Sequence, residues 1–132
     1  MPIRVLIAED DTATRAALVM LLQGEGYTAD SVSDGRAALA YLRSGAPAPH
    51  LIILDLMMPV MDGWQFLRER LKEAALAAIP VVVFTATGAL DVLGLRRLGA
   101  DHVLRKPADA GELLGVVERC RRLAESRAPA GG

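Results

Sequence analysis

The chain has 132 residues, 52% of them hydrophobic, which is enough to bury the core of one ordinary domain and leaves no room for two. Lys and Arg number 15 against 16 Asp and Glu, a formal net charge of -1. That balance excludes a general attraction to nucleic acid or to an anionic membrane, so any charge-based function must come from local clustering.

Along the chain, apolar β-branched runs alternate with longer segments of helical period, the pattern of a parallel sheet covered by helices on both faces. The first strand is expected over Ile3 to Ala8. It hands over to a helix with a stripe of Ala17, Leu18, Leu21 and Leu22, stopped by Gly24 and Gly26. Asp11 is expected as the N-cap of that helix, because a short polar side chain satisfies first-turn amides. The second strand covers Tyr27 to Val32; Asp34 caps a helix with Ala38, Leu39 and Leu42 inward, which ends in the Gly45 to Pro49 loop.

Leu51 to Leu54 forms the third strand, and Asp62-Gly63 opens a helix through Trp64, Leu67 and Leu71. Val81 to Thr85 is the fourth strand, followed by a short helix over Leu90 to Leu98 that contains Gly94 and stops at Gly99. His102 to Arg105 is the fifth. Asp109 and Glu112 then stand three apart like a capping box, ahead of Leu113, Val116, Val117, Cys120 and Leu123 at helical spacing. The short runs are expected to be buried on both faces. Right-handed crossovers leave few arrangements, and the favoured one is a doubly wound, flavodoxin-like α/β fold with a five-stranded parallel sheet of order 2-1-3-4-5. One domain is expected over 1–125, with 126–132 a flexible Pro/Gly/Ala-rich tail.

Location follows from weaker signals. Cys120 is the single cysteine, which excludes an intrachain disulfide and fits a reducing compartment. The start lacks a basic segment followed by a long apolar one, and Ile79 to Phe84 is far shorter than the roughly 20 residues of a membrane-spanning helix. The expectation is a cytoplasmic protein with no membrane partner.

In open α/β sheets, ligands bind beyond the carboxyl ends of the strands. The first strand ends in Glu9-Asp10-Asp11, the third in Asp55, the fourth in Thr85, and the fifth is followed by Lys106-Pro107. In the expected order these ends are neighbours. Carboxylates within about 4 Å repel by about 4 kcal/mol per pair at an effective dielectric near 20. A hard divalent cation offsets this, and Mg²⁺ takes one or two carboxylates while sharing its other positions with water and phosphate. A carboxylate beside it can attack phosphorus, and a lysine ammonium and a threonine hydroxyl are the partners a phosphoryl group needs.

The stretches Val5-Leu-Ile-Ala-Glu-Asp-Asp11, Leu51-Ile-Ile-Leu-Asp-Leu-Met-Met-Pro-Val-Met-Asp-Gly63, Pro80-Val-Val-Val-Phe-Thr-Ala86 and Gly99-Ala-Asp-His-Val-Leu-Arg-Lys-Pro107 closely resemble the receiver domains of two-component response regulators. The resemblance runs from Ile3 to about Leu123. It implies that Asp55 is the phosphoacceptor, Asp10 the direct metal ligand, Glu9 a ligand through water and the Met57 carbonyl a further ligand. It also implies that Thr85 and Lys106 bind the phosphoryl group, and that the Lys106-Pro107 bond is cis. The cofactor is then Mg²⁺, and the phosphodonor a sensor histidine kinase, a phosphotransfer protein or a small molecule. The chain would be a phosphoacceptor that assists its own phosphorylation and dephosphorylation, not an enzyme, and would switch an unidentified protein target without contacting nucleic acid.

Two positions depart from the family pattern. Val103 stands where the family carries Tyr or Phe, and Ala108 where an aromatic follows the proline. The segment from Thr85 to Gly99 is also about one residue short. These departures bear on output, not on the phosphorylation chemistry.

Taken singly, Glu9-Asp10 can be read as a solvated charge pair, Asp55 as a turn former, Thr85 as a cap before Gly88 and Lys106-Pro107 as a surface turn. Their joint placement favours a site. His50, His102, Cys120 and Trp64 are read as ordinary structure, Met57, Met58 and Met61 as loop packing, and Arg119, Arg121, Arg122 and Arg127 as a solvated helix end. A haloacid-dehalogenase phosphatase needs a second acid where this chain has Met57, and a flavodoxin's phosphate would be repelled by Glu9-Asp10-Asp11. The alternative that stays open is a receiver-like interaction module that phosphorylation does not regulate.

Overall fold

The computed structural model describes residues 2–86 and 88–127. Five strands form one parallel sheet: β1 (Arg4–Ala8), β2 (Thr28–Val32), β3 (Leu51–Leu54), β4 (Val81–Thr85) and β5 (His102–Arg105), in the order β2-β1-β3-β4-β5. Six helices lie between and after them: α1 (Thr12–Gly24), α2 (Gly35–Arg43), α3 (Gly63–Arg70), the single turn α4 (Ala74–Ala77), α5 (Val92–Arg97) and α6 (Ala110–Arg127). No helix among the described residues is long and apolar enough to cross a membrane.

Because successive strand residues face opposite ways, each apolar run feeds two cores. Val5, Ile7, Leu51, Ile53, Val82 and Phe84 pack under α1 and α6 with Leu18, Leu22, Leu113, Val116 and Val117. Leu6, Ala8, Ile52, Leu54, Val81 and Val83 pack under the helices of the other face, through Ala38, Leu39, Phe66, Leu67, Leu76 and Leu95. A fully buried side chain of this kind contributes about 1.5–3 kcal/mol. The central strands β1, β3 and β4 are thus buried on both sides. The edges β2 and β5 are not, contrary to the expectation for all five runs, since neither edge strand is fully covered.

Caps fall where short polar residues allow. Asp11 accepts from the Thr14 amide, Asp34 from that of Ala37, Asp62 from that of Gln65 and Asp91 from that of Gly94. Asp109 accepts from the Glu112 amide at 2.7 Å. Gln65 returns a bond to the Asp62 amide, completing a capping box that begins α3.

Some expectations need correcting. Ala17 is exposed, and Val19 packs on the core with Leu18 and Leu22 instead. Leu71 lies outside α3 and is exposed, while the preceding Arg70 is fully buried. Its guanidinium donates to the carbonyls of Leu98 (3.2 Å), Ala77 (3.1 Å) and Ile79 (2.9 Å), so one side chain satisfies three carbonyls, at the ends of α4 and α5 and in the connection to β4. Gly99, at φ 91°, passes directly over it; a Cβ there would meet an Arg70 nitrogen at 2.9 Å. The helix expected over Leu90 to Leu98 spans Val92–Arg97. Ser126 and Arg127, expected in the tail, continue α6, where Arg127 is ion-paired with Asp101 at 2.7 Å; residues 128–132 of that tail lie outside the described residues.

Candidate functional site

The carboxyl edge of the sheet gathers the residues singled out above. Glu9 and Asp10 follow β1, Asp55 follows β3, Thr85 ends β4 and Lys106 follows β5. One carboxylate oxygen from each of Glu9, Asp10 and Asp55 lies within 4.8 Å of the others. Glu9 and Asp55 are buried and Asp10 is exposed, so the cluster has two acids sunk into the domain and one at its mouth.

Asp55 is held on both oxygens. Oδ1 accepts from the Thr85 hydroxyl at 2.9 Å and from the Met57 amide at 3.2 Å, and Oδ2 accepts from Lys106 Nζ at 3.2 Å. Glu9 accepts from Lys106 and, on its other oxygen, from the Asp11 amide at 3.2 Å. Lys106 therefore bridges two buried acids. Its Nζ also lies 5.5 Å from the centroid of the Phe84 ring, a distance at which the ring face attracts a cation. The Lys106-Pro107 peptide is cis, as the resemblance implied.

The electrostatics follow from burial. Desolvation pushes the Glu9 carboxyl above its ordinary range; the Lys106 hydrogen bond works against the rise and the neighbouring Asp55 adds to it. For Lys106, desolvation disfavours the ammonium, but hydrogen bonds and charges from Glu9 and Asp55 outweigh it and hold the amine above its ordinary value. The lysine stays a cation at neutral pH.

The loop after β3 is shaped by close approach. A Cβ at Gly63 would lie 2.5 Å from the Asp55 carbonyl, so the start of α3 can rest against the end of β3 with no other residue. Within that loop Val60 adopts φ 68°, a conformation that costs a β-branched side chain energy. Met58 and Met61 pack on the core as expected. Met57 does not: it is 62% exposed, because Asp55 and Leu56 already fill the adjacent buried positions. With Asp10, Pro59, Asp62 and Trp64 it lines an open cleft of about 670 Å³.

Arg15 was not singled out by sequence, yet its guanidinium donates to the carbonyls of Glu9 and Asp10. An arginine five or six positions after a pair of acids is a weak signal without the fold. His50, read as ordinary structure, accepts the Arg4 amide on Nδ1 at 3.0 Å.

The parallel sheet gathers acid, hydroxyl and ammonium groups on its carboxyl edge, and the comparisons with known proteins give the class to which that arrangement belongs. The model of the response regulator receiver domain matches residues 5–118, and the chain belongs to that family. It is 38% identical over 129 residues to the alkaline phosphatase synthesis transcriptional regulatory protein SphR of Synechococcus elongatus, covering 91% of this chain and 48% of SphR. The chain thus spans about half the length of the curated relatives it matches. Among solved structures, the phosphorylated cyanobacterial phytochrome response regulator RcpA superposes with a TM-score of 0.79 at 28% identity, over 98% of each chain. The Mn²⁺-bound form of the response regulator Rcp1 gives 0.77 at 30% identity, over 89% of this chain and 91% of that one.

Proposed function

We propose that this receiver domain accepts one phosphoryl group on Asp55, from a sensor histidine kinase, a phosphotransfer protein or a small phosphodonor, and thereby switches the binding of a protein target. The observation that carries the reading is the environment of Asp55: a buried carboxylate bonded to Thr85 and Lys106, with Glu9 and Asp10 beside it.

The donor set is all oxygen and carries three negative charges against one ammonium, which suits a hard divalent cation. Asp10, Asp55 and the Met57 carbonyl would hold Mg²⁺ directly, and Glu9 through water. When bound, the ion supplies positive charge that offsets the repulsion within the cluster and the charge of an incoming phosphoryl group. A carboxylate oxygen of Asp55 forms a bond to phosphorus as the bond from phosphorus to the donor's nitrogen or oxygen breaks, the electron pair leaving with the donor. Lys106 Nζ pairs with a phosphoryl oxygen and the Thr85 hydroxyl donates to another, so the chain contributes positioning and charge rather than acid–base chemistry. The domain acts as a phosphoacceptor that assists its own labelling and hydrolysis. Phosphorylated RcpA and Mn²⁺-bound Rcp1, both of the same fold, support the two halves of this reading.

The setting that fits is the cytoplasm, with no direct contact with nucleic acid. Incubation with acetyl phosphate and Mg²⁺, read by intact mass, tests the proposal. Wild type should gain one phosphoryl group and Asp55→Asn none. Equal labelling of both overturns the assignment, and no labelling of wild type favours an interaction module that phosphorylation does not regulate.

A further inference from the structure

Arg15 lies in the first part of α1, and its guanidinium turns back toward the acidic bend. Nη1 donates to the carbonyl of Glu9 at 2.8 Å and to that of Asp10 at 3.3 Å. These are the carbonyls of the two residues whose carboxylates meet Asp55. The bend is otherwise tied by the Glu9 amide to the Val32 carbonyl at 3.0 Å, and by Asp11, whose amide bonds Glu9 and whose side chain caps α1. Asp10, the exposed member, leans on Arg15 through its own carbonyl.

A guanidinium beside three acids can act in two ways, and they differ in sign. As a counter-charge it relieves repulsion in the absence of a cation and competes with one, so removing it tightens cation binding. As a clamp it fixes the peptide planes from which the Glu9 and Asp10 side chains depart, and removing it loosens binding. The bonds run to carbonyl oxygens, and the cation placed against the Glu9 and Asp55 carboxylates is Lys106. That division of labour favours the clamp.

We propose that Arg15 is a positioning residue for divalent-cation binding, holding the Glu9-Asp10 peptides so that their carboxylates face Asp55; this rests on the reading of the cluster as a Mg²⁺ site. The test is a Mg²⁺ titration followed by the fluorescence of Trp64, which lines the same cleft as Asp10, with thermal unfolding of the metal-free proteins alongside. Arg15→Met should raise the Kd roughly tenfold, the lower end of what outer partners of metal ligands contribute. Arg15→Gln, neutral but still a donor, should fall between Met and wild type. A Met variant that binds Mg²⁺ as tightly as wild type, or more tightly, overturns the clamp. Should the Met variant fail to fold, Arg15→Gln binding more tightly than wild type does the same. Failure of wild type to bind Mg²⁺ overturns both the clamp and the metal reading beneath it.

Discussion

Lys106 reaches back across the carboxyl edge of the sheet to Glu9, so the residue that follows β5 is ion-paired with the residue that follows β1. The two strands are separated by β3 and β4, and the pair ties the edge together over that span. Both it and the Lys106–Asp55 contact hold buried acids that no other ammonium approaches in the bonds described above. Lys106→Met should therefore cost the metal-free protein about 2 kcal/mol. That is less than the roughly 3–5 kcal/mol for breaking a fully buried pair, because 19% of the Lys106 side chain is exposed. The midpoint of urea unfolding measures this, and a loss below about 0.5 kcal/mol would mean that Lys106 and the acids are only weakly coupled.

Mg²⁺ bound to the native state alone stabilises it by about 1.4 kcal/mol at ten times its Kd. For a domain of this size that raises the Tm by roughly 4–6 °C. Asp10→Ala should abolish the increment. Since Asp10 is exposed and repelled by its neighbours, the variant should match or slightly exceed the wild-type Tm without metal. An undiminished response to Mg²⁺ in Asp10→Ala would remove Asp10 from the ligand set.

Arg70 places a charge at the opposite end of the sheet, where desolvation pulls its pKa below the ordinary value and Asp101 works the other way. Its charge is costly, but three carbonyls depend on it. Arg70→Met should destabilise by about 3 kcal/mol, since carbonyls left buried and unpaired cost about 1–3 kcal/mol each and loss of the buried charge returns part of that. Urea unfolding with an unchanged m-value checks it; a neutral or stabilising result would show that burying the cation outweighs its bonds.

Burial pushes the Cys120 thiol up to about 12, with Asp101 adding to the rise and Arg127 opposing it. The folded value exceeds the unfolded value of 9.0, so the native state holds the thiol proton more tightly. This contribution is complete below pH 9 and is lost as the pH climbs toward 12. Native protein should resist a thiol reagent at pH 8 that reacts fully after unfolding. The decline in Tm above pH 9 should be shallower in Cys120→Ala, and identical slopes would count against the assignment.

Val103 sits half-buried on β5, packed against the core under α2, α3 and α5. In the family pattern an aromatic ring here turns inward when the threonine hydroxyl moves to the phosphoryl group. A β-branched side chain with one dominant χ1 well has little to turn. Beryllium fluoride with Mg²⁺ should therefore shift amides near Asp55 and Thr85 strongly, and those from Val103 through Leu114 weakly. Large shifts across that stretch would refute this, and Val103→Tyr should enlarge them.

The strands β3, β4 and β5 were legible to the residue because their apolar runs end abruptly at chemistry-bearing residues. β1 and β2 start one residue after Ile3 and Tyr27, whose apolar side chains pack on the core just ahead of the paired residues. Asp55, Thr85 and Lys106 could be read for the same reason, each terminating or following such a run. What could not be read depends on partners far along the chain. Arg70 and Leu71 exchange roles because the carbonyls that satisfy a buried guanidinium belong to Ala77, Ile79 and Leu98. The Lys106–Glu9 pair spans 97 positions, and no local period encodes it. The turn α4 was missed because four residues are too short to show a helical period, and Arg15 because its acceptors are main-chain atoms.

The two incompletely covered strands bear on how the protein behaves among copies of itself. A sheet edge offers unpaired amides and carbonyls to any passing strand. β2 turns Asp30 and Ser31 to solvent over a span of five residues, and β5 is four residues long, exposes Arg105 and runs directly into Lys106 and Pro107. Charge on both edges, with a residue lacking an amide hydrogen just past one of them, denies a second sheet the long flat register it would need to add on. The doubly buried strands, whose sequences Leu-Ile-Ile-Leu and Val-Val-Val-Phe-Thr would otherwise be prone to fibrillar stacking, are thus fenced by their neighbours for as long as the domain stays folded.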